Sequence, residues 1–448
     1  VAQAFQWREF WEVGFAGGER VASKTPVFPR SRTFFSSQPM KISSISIKNY
    51  RSCIDTTFTP HAKLSVLIGP NGSGKTNVLS AIRLLSTLCG VSQRRMGLDE
   101  STTAACELKV VYDVDGVSAT QHAKLSLTTN EKNLDEITTF DEYWTIPKFT
   151  GRKRLKITST MLADNVRSQW EFPGRSIFRE RTYFDHYFTL QGASSHALSV
   201  LHTIVTFVTK ISYYSASQFT NPASCPLSFE VESDASRRVG ISISGHKKFL
   251  FDMYQEYREQ SASYSEFIDL VGSNGIGLIE SIAFDEIKTS SSNYSVMTGG
   301  KVLRKERTNL LVVPSFKIAG NTLSPNQLSE GTFKTLALIF YLVADKSSAL
   351  MIEEPEVCVH HGLLSSIVEL VKRYSESKQI FISTHSDSLL DDIEVENVFK
   401  VQRTKERGSE VSSIKKKMGS KELAALRKYL LDDGSLGEYW KHGDLENV

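Results

Sequence analysis

No apolar run in this sequence approaches the ~20 residues that cross a bilayer as a helix. The longest, Leu336–Val343 and Val200–Val208, are short and flanked by polar residues, so a helical membrane subunit is not expected. Cysteine is sparse and odd in number: Cys53, Cys89, Cys106, Cys225 and Cys358 are scattered without C-x-x-C spacing. That excludes a zinc ribbon or a disulfide scaffold and reads as reduced thiols in a cytosolic protein. Neither sign of charge dominates, with 53 basic against 50 acidic residues and a net charge of +3. Bulk charge therefore makes no case for nucleic acid. Heptads are absent over any length that a long coiled coil would need. What remains is an ordinary globular composition, 40% hydrophobic and 23% charged, in 448 residues. Two or three lobes around a large core fit that length.

Against this plain background one stretch stands out. Gly69-Pro70-Asn71-Gly72-Ser73-Gly74-Lys75-Thr76 is G-x-x-x-x-G-K-[ST], the phosphate-binding P-loop pattern. A short apolar run, Leu64–Ile68, precedes it, and Asn77–Leu85 follows with apolar residues at helical spacing. Strand, glycine loop and helix are the context the pattern requires. The glycines let backbone N–H groups close around phosphate oxygens, and the helix N-terminus adds its positive dipole end. Lys75 would reach the β- and γ-phosphates of ATP, and the Thr76 hydroxyl would ligate Mg²⁺.

The flanking chain divides by pattern. Residues 1–39 have no sustained period and contain Gly17-Gly18. They read as an N-terminal extension outside the core, with Met40 as a natural start. A functional arm and a transit peptide are the other readings, and Glu9, Glu12 and Glu19 speak against the last. Residues 40–128 read as the N-terminal half of an ATPase head, with alternation at Ile42, Ile45 and Ile47, at Leu108–Val114 and at His122–Thr128 suggesting an added antiparallel layer. Residues 129–305 are expected to form an inserted, mostly helical lobe, including a helix over Phe251–Val271. Arg152-Lys153-Arg154 and Arg175, Arg179 and Arg181, interleaved with Phe172, Phe178, Tyr183 and Phe184, fit a nucleic-acid groove. A solvated face over core aromatics fits them too. Residues 306–405 read as the second half of the head, and 406–448 as a basic and helical tail with a distinctive Gly434–Trp440 segment.

Three further motifs follow in order. Leu328-Ser329-Glu330-Gly331-Thr332 opens an amphipathic helix, where Ser329 and Gly331 offer another anion site; serine is also a routine N-cap. Ala349–Glu356 is an apolar strand ending in carboxylates. Glu353 would bind the metal directly or through water, and Glu354 would orient and polarise the attacking water. Gln379–Asp387 is a third apolar strand ending in His385, placed to sense the γ-phosphate.

In this order and wording the motifs resemble the ABC-type ATPase heads of the RecF, SMC and OLD (overcoming lysogenisation defect) group, over residues 40–125 and 310–405. Asn71-Gly72-Ser73-Gly74-Lys75-Thr76-Asn77 resembles their Walker A, Leu328–Thr332 their signature, Met351–Glu356 their Walker B, and Ser383–Ser386 their H-loop. Asn49-Tyr50-Arg51 resembles their arginine turn, which carries Arg51 toward the nucleotide. Glu330 stands where a first glycine is usual, and Glu353 where Asp is usual. No motif marks a Q-loop glutamine; Gln218 is the candidate, as a third metal contact.

The resemblance implies an α/β P-loop NTPase with an ABC-type head, a mixed sheet with an added antiparallel layer, interrupted by a compact lobe. It implies ATP and Mg²⁺ as cofactors and ATP hydrolysis, with turnover that can be low. It implies a homodimer, or a higher oligomer, in which the signature Ser329 of one copy completes the site of another. The TOPRIM nuclease of OLD proteins is not expected here. That makes the chain similar to the ATPase subunits of bacterial anti-phage systems, of the Septu (PtuA) or retron-associated type, where a separate HNH-like nuclease is the effector. Such a protein is expected to be cytoplasmic, to contact nucleic acid and to make no membrane contact. A RecF-like repair ATPase is the second reading, and the nucleotide-binding subunit of a transporter the third.

Overall fold

Leu64–Ile68 and Gln379–Ser383 are buried at every position, and Ala349–Glu353 at all but the last. Continuous apolar strands of this kind belong in a parallel sheet covered on both faces, and the computed structural model of the chain places them there. It describes residues 40–90, 104–129, 135–147, 154–158, 188–189, 191–232, 245–296, 302–344, 346–357, 359, 361–432 and 434–441.

In chain order the elements are β1 (Lys41–Tyr50), β2 (Cys53–Phe58), β3 (Leu64–Ile68), α1 (Lys75–Gly90), β4 (Ala104–Val114), β5 (Val117–Thr129), β6 (Asp135–Thr145), β7 (Leu155–Thr158), α2 (Ser195–Thr209) and β8 (Ile211–Ser215). Next come β9 (Phe229–Glu232), α3 (Gly245–Arg258), α4 (Ala262–Val271), β10 (Ser281–Val296), β11 (Val302–Ile318), β12 (Asn321–Leu323) and α5 (Glu330–Val343). The chain continues with β13 (Ala349–Glu353), α6 (His361–Tyr374), β14 (Gln379–Ser383), α7 (Asp387–Leu390), β15 (Val398–Thr404), β16 (Gly408–Ser413), α8 (Ile414–Lys417), α9 (Ser420–Leu431) and α10 (Leu436–Lys441). They fall into two compact units, one holding Ser217–Asp345, the other Phe35–Ala216 with Lys346–Val448.

The larger unit is built on a 12-stranded sheet in the order β7-β6-β5-β4-β1-β2-β16-β15-β3-β14-β13-β8. Strands β15, β3, β14, β13 and β8 run parallel. The remaining seven form an antiparallel wing, joined to the rest where β15 pairs antiparallel with β16. The antiparallel layer expected beside the core is thus continuous with it. A register shift between Ile42 and Ser44 explains how Ile42, Ile45 and Ile47 are all buried: one extra residue returns Ile42 to the face of the other two. Gln379 laces the edges, with its Nε2 donating to Ile42 O and His61 O at 3.0 Å each, while Ile42 N donates to its Oε1 at 2.9 Å. Helices α1 and α2 share the apolar core of this sheet.

The smaller unit pairs β10 and β11 over sixteen residues, with β12 and β9 at the flanks of β11. Its core is aromatic: Phe219, Phe249 and Phe333 pack mutually with ring centroids 5.4–6.2 Å apart, and Phe267 meets Phe340 at 5.5 Å. Helix α5 is buried all along from Phe333 to Val343, as a helix apolar on every side must be.

Three expectations change here. Among the described residues the stretch 129–305, expected as mostly helical, carries β6, β7, β8, β9, β10 and the start of β11 beside three helices, and its first part belongs to the wing of the large sheet. Alternation there is blurred because β6 places polar residues on both faces, Glu142 beside Trp144 on one and Asp141 beside Tyr143 on the other. The single helix over Phe251–Val271 is two. Gln260 takes a left-handed φ of 47°, and Ser261 caps α4 by accepting from Tyr264 N at 3.1 Å. Along these two helices Met253, Tyr254, Phe267 and Leu270 are buried, Ile268 is half-buried and Tyr257 is exposed. The helical tail expected over 406–448 begins with a strand, Gly408–Ser413, and its helix is interrupted after Leu431 and resumes at Leu436. Residues 1–39, Arg152, Lys153, Arg175, Arg179 and Arg181 lie outside the described residues.

Candidate functional site

Parallel strands bring their carboxyl ends to one edge of the sheet, and in open α/β sheets that edge is where ligands bind. Strand β3 sits between β15 and β14, and β13 adjoins β14. The P-loop follows β3, the carboxylates follow β13 and His385 follows β14. Sequence order alone thus becomes spatial proximity.

The loop's glycines are required by geometry. Gly74 has φ 103°, and a Cβ there would stand 1.9 Å from Ser409 Oγ and 2.5 Å from Ser52 Oγ. Gly69 has φ 153°, and a Cβ would meet the Val401 carbonyl at 2.1 Å. Lys75 is buried and donates to Gly69 O at 2.7 Å and Pro70 O at 3.2 Å. Burial brings its amine down to about 8, against the pull of Glu354, Glu356 and Glu353, so it remains a cation at neutral pH. The buried Ser73 hydroxyl has no hydrogen-bond partner among the described residues.

Thr76 Oγ1 donates to Glu353 Oε1, joining the start of α1 to the end of β13. Glu354 adopts φ 48°, a strained conformation for a residue with a Cβ. Its N–H is held by Ser383 O at 2.9 Å. His385 Nε2 lies 3.7 Å from Glu354 Oε1, and burial followed by the Lys75 charge lowers its pKa. Glu356 Oε1 accepts from Thr384 Oγ1 at 2.8 Å and from His385 N at 2.9 Å, fixing the peptide that carries the histidine. Lys75, Thr76, Glu353, Glu354 and His385 are therefore gathered in one place.

Asn77 Nδ2 donates to Ser52 Oγ at 2.6 Å, and Ser409 Oγ lies 2.7 Å from both Ser52 Oγ and Ser73 O. Arg51 takes φ 51° in the turn between β1 and β2, with its guanidinium 5.4 Å from the Tyr50 ring centre. Asn71 and Gly72 form the exposed tip of the loop. Ser329, Gly331 and Gln218 belong to the smaller unit. Ser329 is the N-cap of α5, accepting from Thr332 N at 3.1 Å. Gly331 lies in the first turn of that helix. Glu330 pairs with the buried Lys334 at 2.6 Å, one turn on. Gln218 lies in the short turn Ala216–Phe219 that follows β8.

Sequence reasoning missed Ser52 and Ser409, which brace the loop, and Tyr213, whose phenol donates to Glu353 Oε2. No motif marks them. The sole hint was an aromatic on a strand just before the Gln218 turn.

Among the described residues no cluster of three or more His, Cys, Asp or Glu forms a metal site. The pair of Thr76 hydroxyl and Glu353 carboxylate, in mutual contact, still fits Mg²⁺, a hard cation that takes one or two protein oxygens and completes its shell with water and phosphate. The orphaned Ser73 hydroxyl and the glycine cradle likewise fit a phosphate group. No described helix is long and apolar enough to cross a membrane.

Residues 64–391 match the family described as "AAA domain, putative AbiEii toxin, Type IV TA system". Two curated relatives are both described as "DNA replication and repair protein RecF". That of Chlorobium luteolum is 38% identical over 66 residues, 15% of this chain and 17% of its own. That of an Anaeromyxobacter species is 32% identical over 88 residues, 20% of this chain and 24% of its own. The matched part is thus less than a quarter of either relative. Among solved structures, an SMC head domain from Thermotoga maritima aligns at 12% identity with a TM-score of 0.37, covering 83% of this chain and 98% of that one. An SMC head from Pyrococcus furiosus, bound to a domain of ScpA, aligns at 12% identity with a TM-score of 0.41, covering 87% and 100%. The chain belongs to the AAA-domain family it matches.

Proposed function

We propose that this member of the AAA-domain family binds and hydrolyses ATP as the switch subunit of a complex that acts on nucleic acid. The observation that carries the reading is the convergence of Lys75, Thr76 and Glu353 with Glu354 and His385 at the ends of adjacent strands. Lys75 and the loop N–H groups hold the phosphates. Bound Mg²⁺, held by Thr76 and Glu353, supplies charge neutralisation on the β- and γ-phosphates. Glu354, held in its left-handed conformation, orients the attacking water and takes its proton, and His385 sits beside it to position the same water. The neutral imidazole favoured by burial can accept or donate one hydrogen bond in that role. Phosphoryl transfer of this kind is mostly positioning and charge stabilisation, which suits a switch better than a fast metabolic enzyme.

Ser329 and Gly331 of one copy complete the nucleotide site of a second copy in this proposal, so ATP closes a dimer and hydrolysis opens it. Arg51 and Gln218 are proposed as further contacts at that site. The effector is a separate nuclease, as in the anti-phage complexes the motifs resemble. The RecF relatives favour a second reading, a DNA repair ATPase with no nuclease partner. Fluorescent-ATP binding to wild type and Lys75→Ala tests the site, and binding that survives the substitution would refute it. Mass photometry with ATP and Glu354→Gln tests the dimer, with a monomer as the refuting outcome. Affinity purification from the native host separates the two roles: an HNH protein in stoichiometric amount supports the defence reading, and its absence supports repair.

A further inference from the structure

Two elements meet over the carboxylate of Glu353. Strand β8 pairs parallel with β13 so that Tyr213 lies beside Met351 and Ser215 beside Glu353. Tyr213 is therefore set back from Glu353 by one repeat along the pleat. Its side chain is long enough to recover that distance, and its hydroxyl donates to Oε2. Helix α1 closes the arrangement from the other side. Thr76, in its first turn, donates to Oε1, and Arg83, two turns on along the same helix face, stacks its guanidinium 5.1 Å from the Tyr213 ring centre. A cation over a tyrosine face at this distance is attractive and fixes the ring's orientation.

The arrangement answers a problem posed by the sequence. A glutamate at this strand end has one more rotatable bond than the aspartate usual in such heads, hence more conformers to lose on binding a cation. A free carboxylate could also swing both oxygens toward the metal. We infer that Tyr213 is a positioning residue that tethers Oε2 of Glu353 and presents Oε1 alone, beside the Thr76 hydroxyl, to the divalent cation. The tether rests on the reading of Thr76 and Glu353 as the Mg²⁺ site. It assigns a role to β8 that no motif carries, and it makes the tyrosine and the longer acid a matched pair.

The test is Tyr213→Phe in the full chain, which keeps the ring and the Arg83 contact and removes one hydroxyl. Fluorescent-ATP affinity is measured with and without Mg²⁺, alongside thermal unfolding. The tether predicts unchanged affinity without Mg²⁺, and a Mg²⁺ concentration for half-maximal effect raised roughly tenfold, the scale of one lost hydrogen bond to a charged group. In a Glu353→Asp background, where the shorter acid falls short of the phenol, Tyr213→Phe changes nothing. Unaltered Mg²⁺ dependence in the single variant would overturn the tether, as would an equal loss of affinity with and without Mg²⁺, which marks a purely structural role. Glu353→Gln separates the levels. If it leaves Mg²⁺ dependence intact, the metal-site reading beneath the tether fails. If it abolishes that dependence while Tyr213→Phe does not, only the tether fails.

Discussion

The P-loop and the signature segment are both glycine-containing helix starts, yet they are held in different ways. Gly74 is hemmed in by Ser409 and Ser52, has a φ of 103°, and tolerates no Cβ. Gly331 lies within the first turn of α5 and has no such φ. Thr76 reaches out of its helix to Glu353 on β13, whereas Ser329 is satisfied by its own helix, at Thr332. One start is wired into a sheet and shaped for a ligand. The other has its capping serine satisfied within its own helix.

The sharpest break of this comparison is Glu354→Gln. Loss of the general base lowers ATP hydrolysis by about 10²–10⁴-fold in a single-turnover assay, with ATP binding retained. Gly74→Ala comes next, with a forced positive φ and a clash against Ser409. It destabilises the larger unit by about 3 kcal/mol in chemical denaturation and abolishes ATP binding.

A buried acid in the same unit provides a pH probe of comparable size. Glu142 is fully buried, accepts from Gln121 Nε2 at 3.0 Å, and its carboxyl is pushed up to about 7 by burial. The folded state therefore holds the proton more tightly than the unfolded state, whose carboxyl titrates near 4.5. Stability from this group is full below pH 4.5, falls as pH rises to about 7, and is flat above. Wild type should lose on the order of 3 kcal/mol across that window relative to Glu142→Gln, read by urea denaturation at pH 5 and pH 8.

Ser329→Ala costs about 1 kcal/mol as a lost N-cap, leaves ATP affinity of the monomer unchanged, and abolishes the ATP-dependent dimer by mass photometry. Gly331→Ala has the smallest effect on the fold, within about 1 kcal/mol in either direction, with the same loss of dimer. A monomer-level loss of ATP binding in either variant would erase the contrast between the two helix starts.

The fold and the candidate site were legible where short-range pattern carried them. Strands β3, β13 and β14 are continuous apolar runs, and each ends in the residues that converge. Whether Ser329 completes a site in a second copy was implied by resemblance and stays a proposal. Less legible was everything that depends on pairing across the chain. Ser52 and Ser409 are separated by most of the sequence, and only the β2–β16 contact brings both hydroxyls to the P-loop. Tyr213 reads as an ordinary strand aromatic until β8 is known to lie beside β13. The Gly434–Trp440 segment had no physical account from sequence. In the fold Gly437 packs its bare Cα against the Asp387 carbonyl, where a Cβ would stand 2.2 Å away, and its N–H donates to Asp391 Oδ1 at 3.0 Å. The segment thereby docks on the short helix that follows His385.

The joint between β2 and β16 is narrow. One register pair, Cys53 with Gly408, and the backbone bonds Ser409 N to Ser52 O at 2.8 Å and Asp55 N to Arg407 O at 3.1 Å join β16 to the rest of the wing there. The same few residues hold the P-loop through Ser52 and Ser409. The nucleotide loop is thereby anchored on the seam between these two strands. Amide exchange at Ser52–Ile54 and Gly408–Glu410 is where nucleotide binding should register first, ahead of β4 and β5.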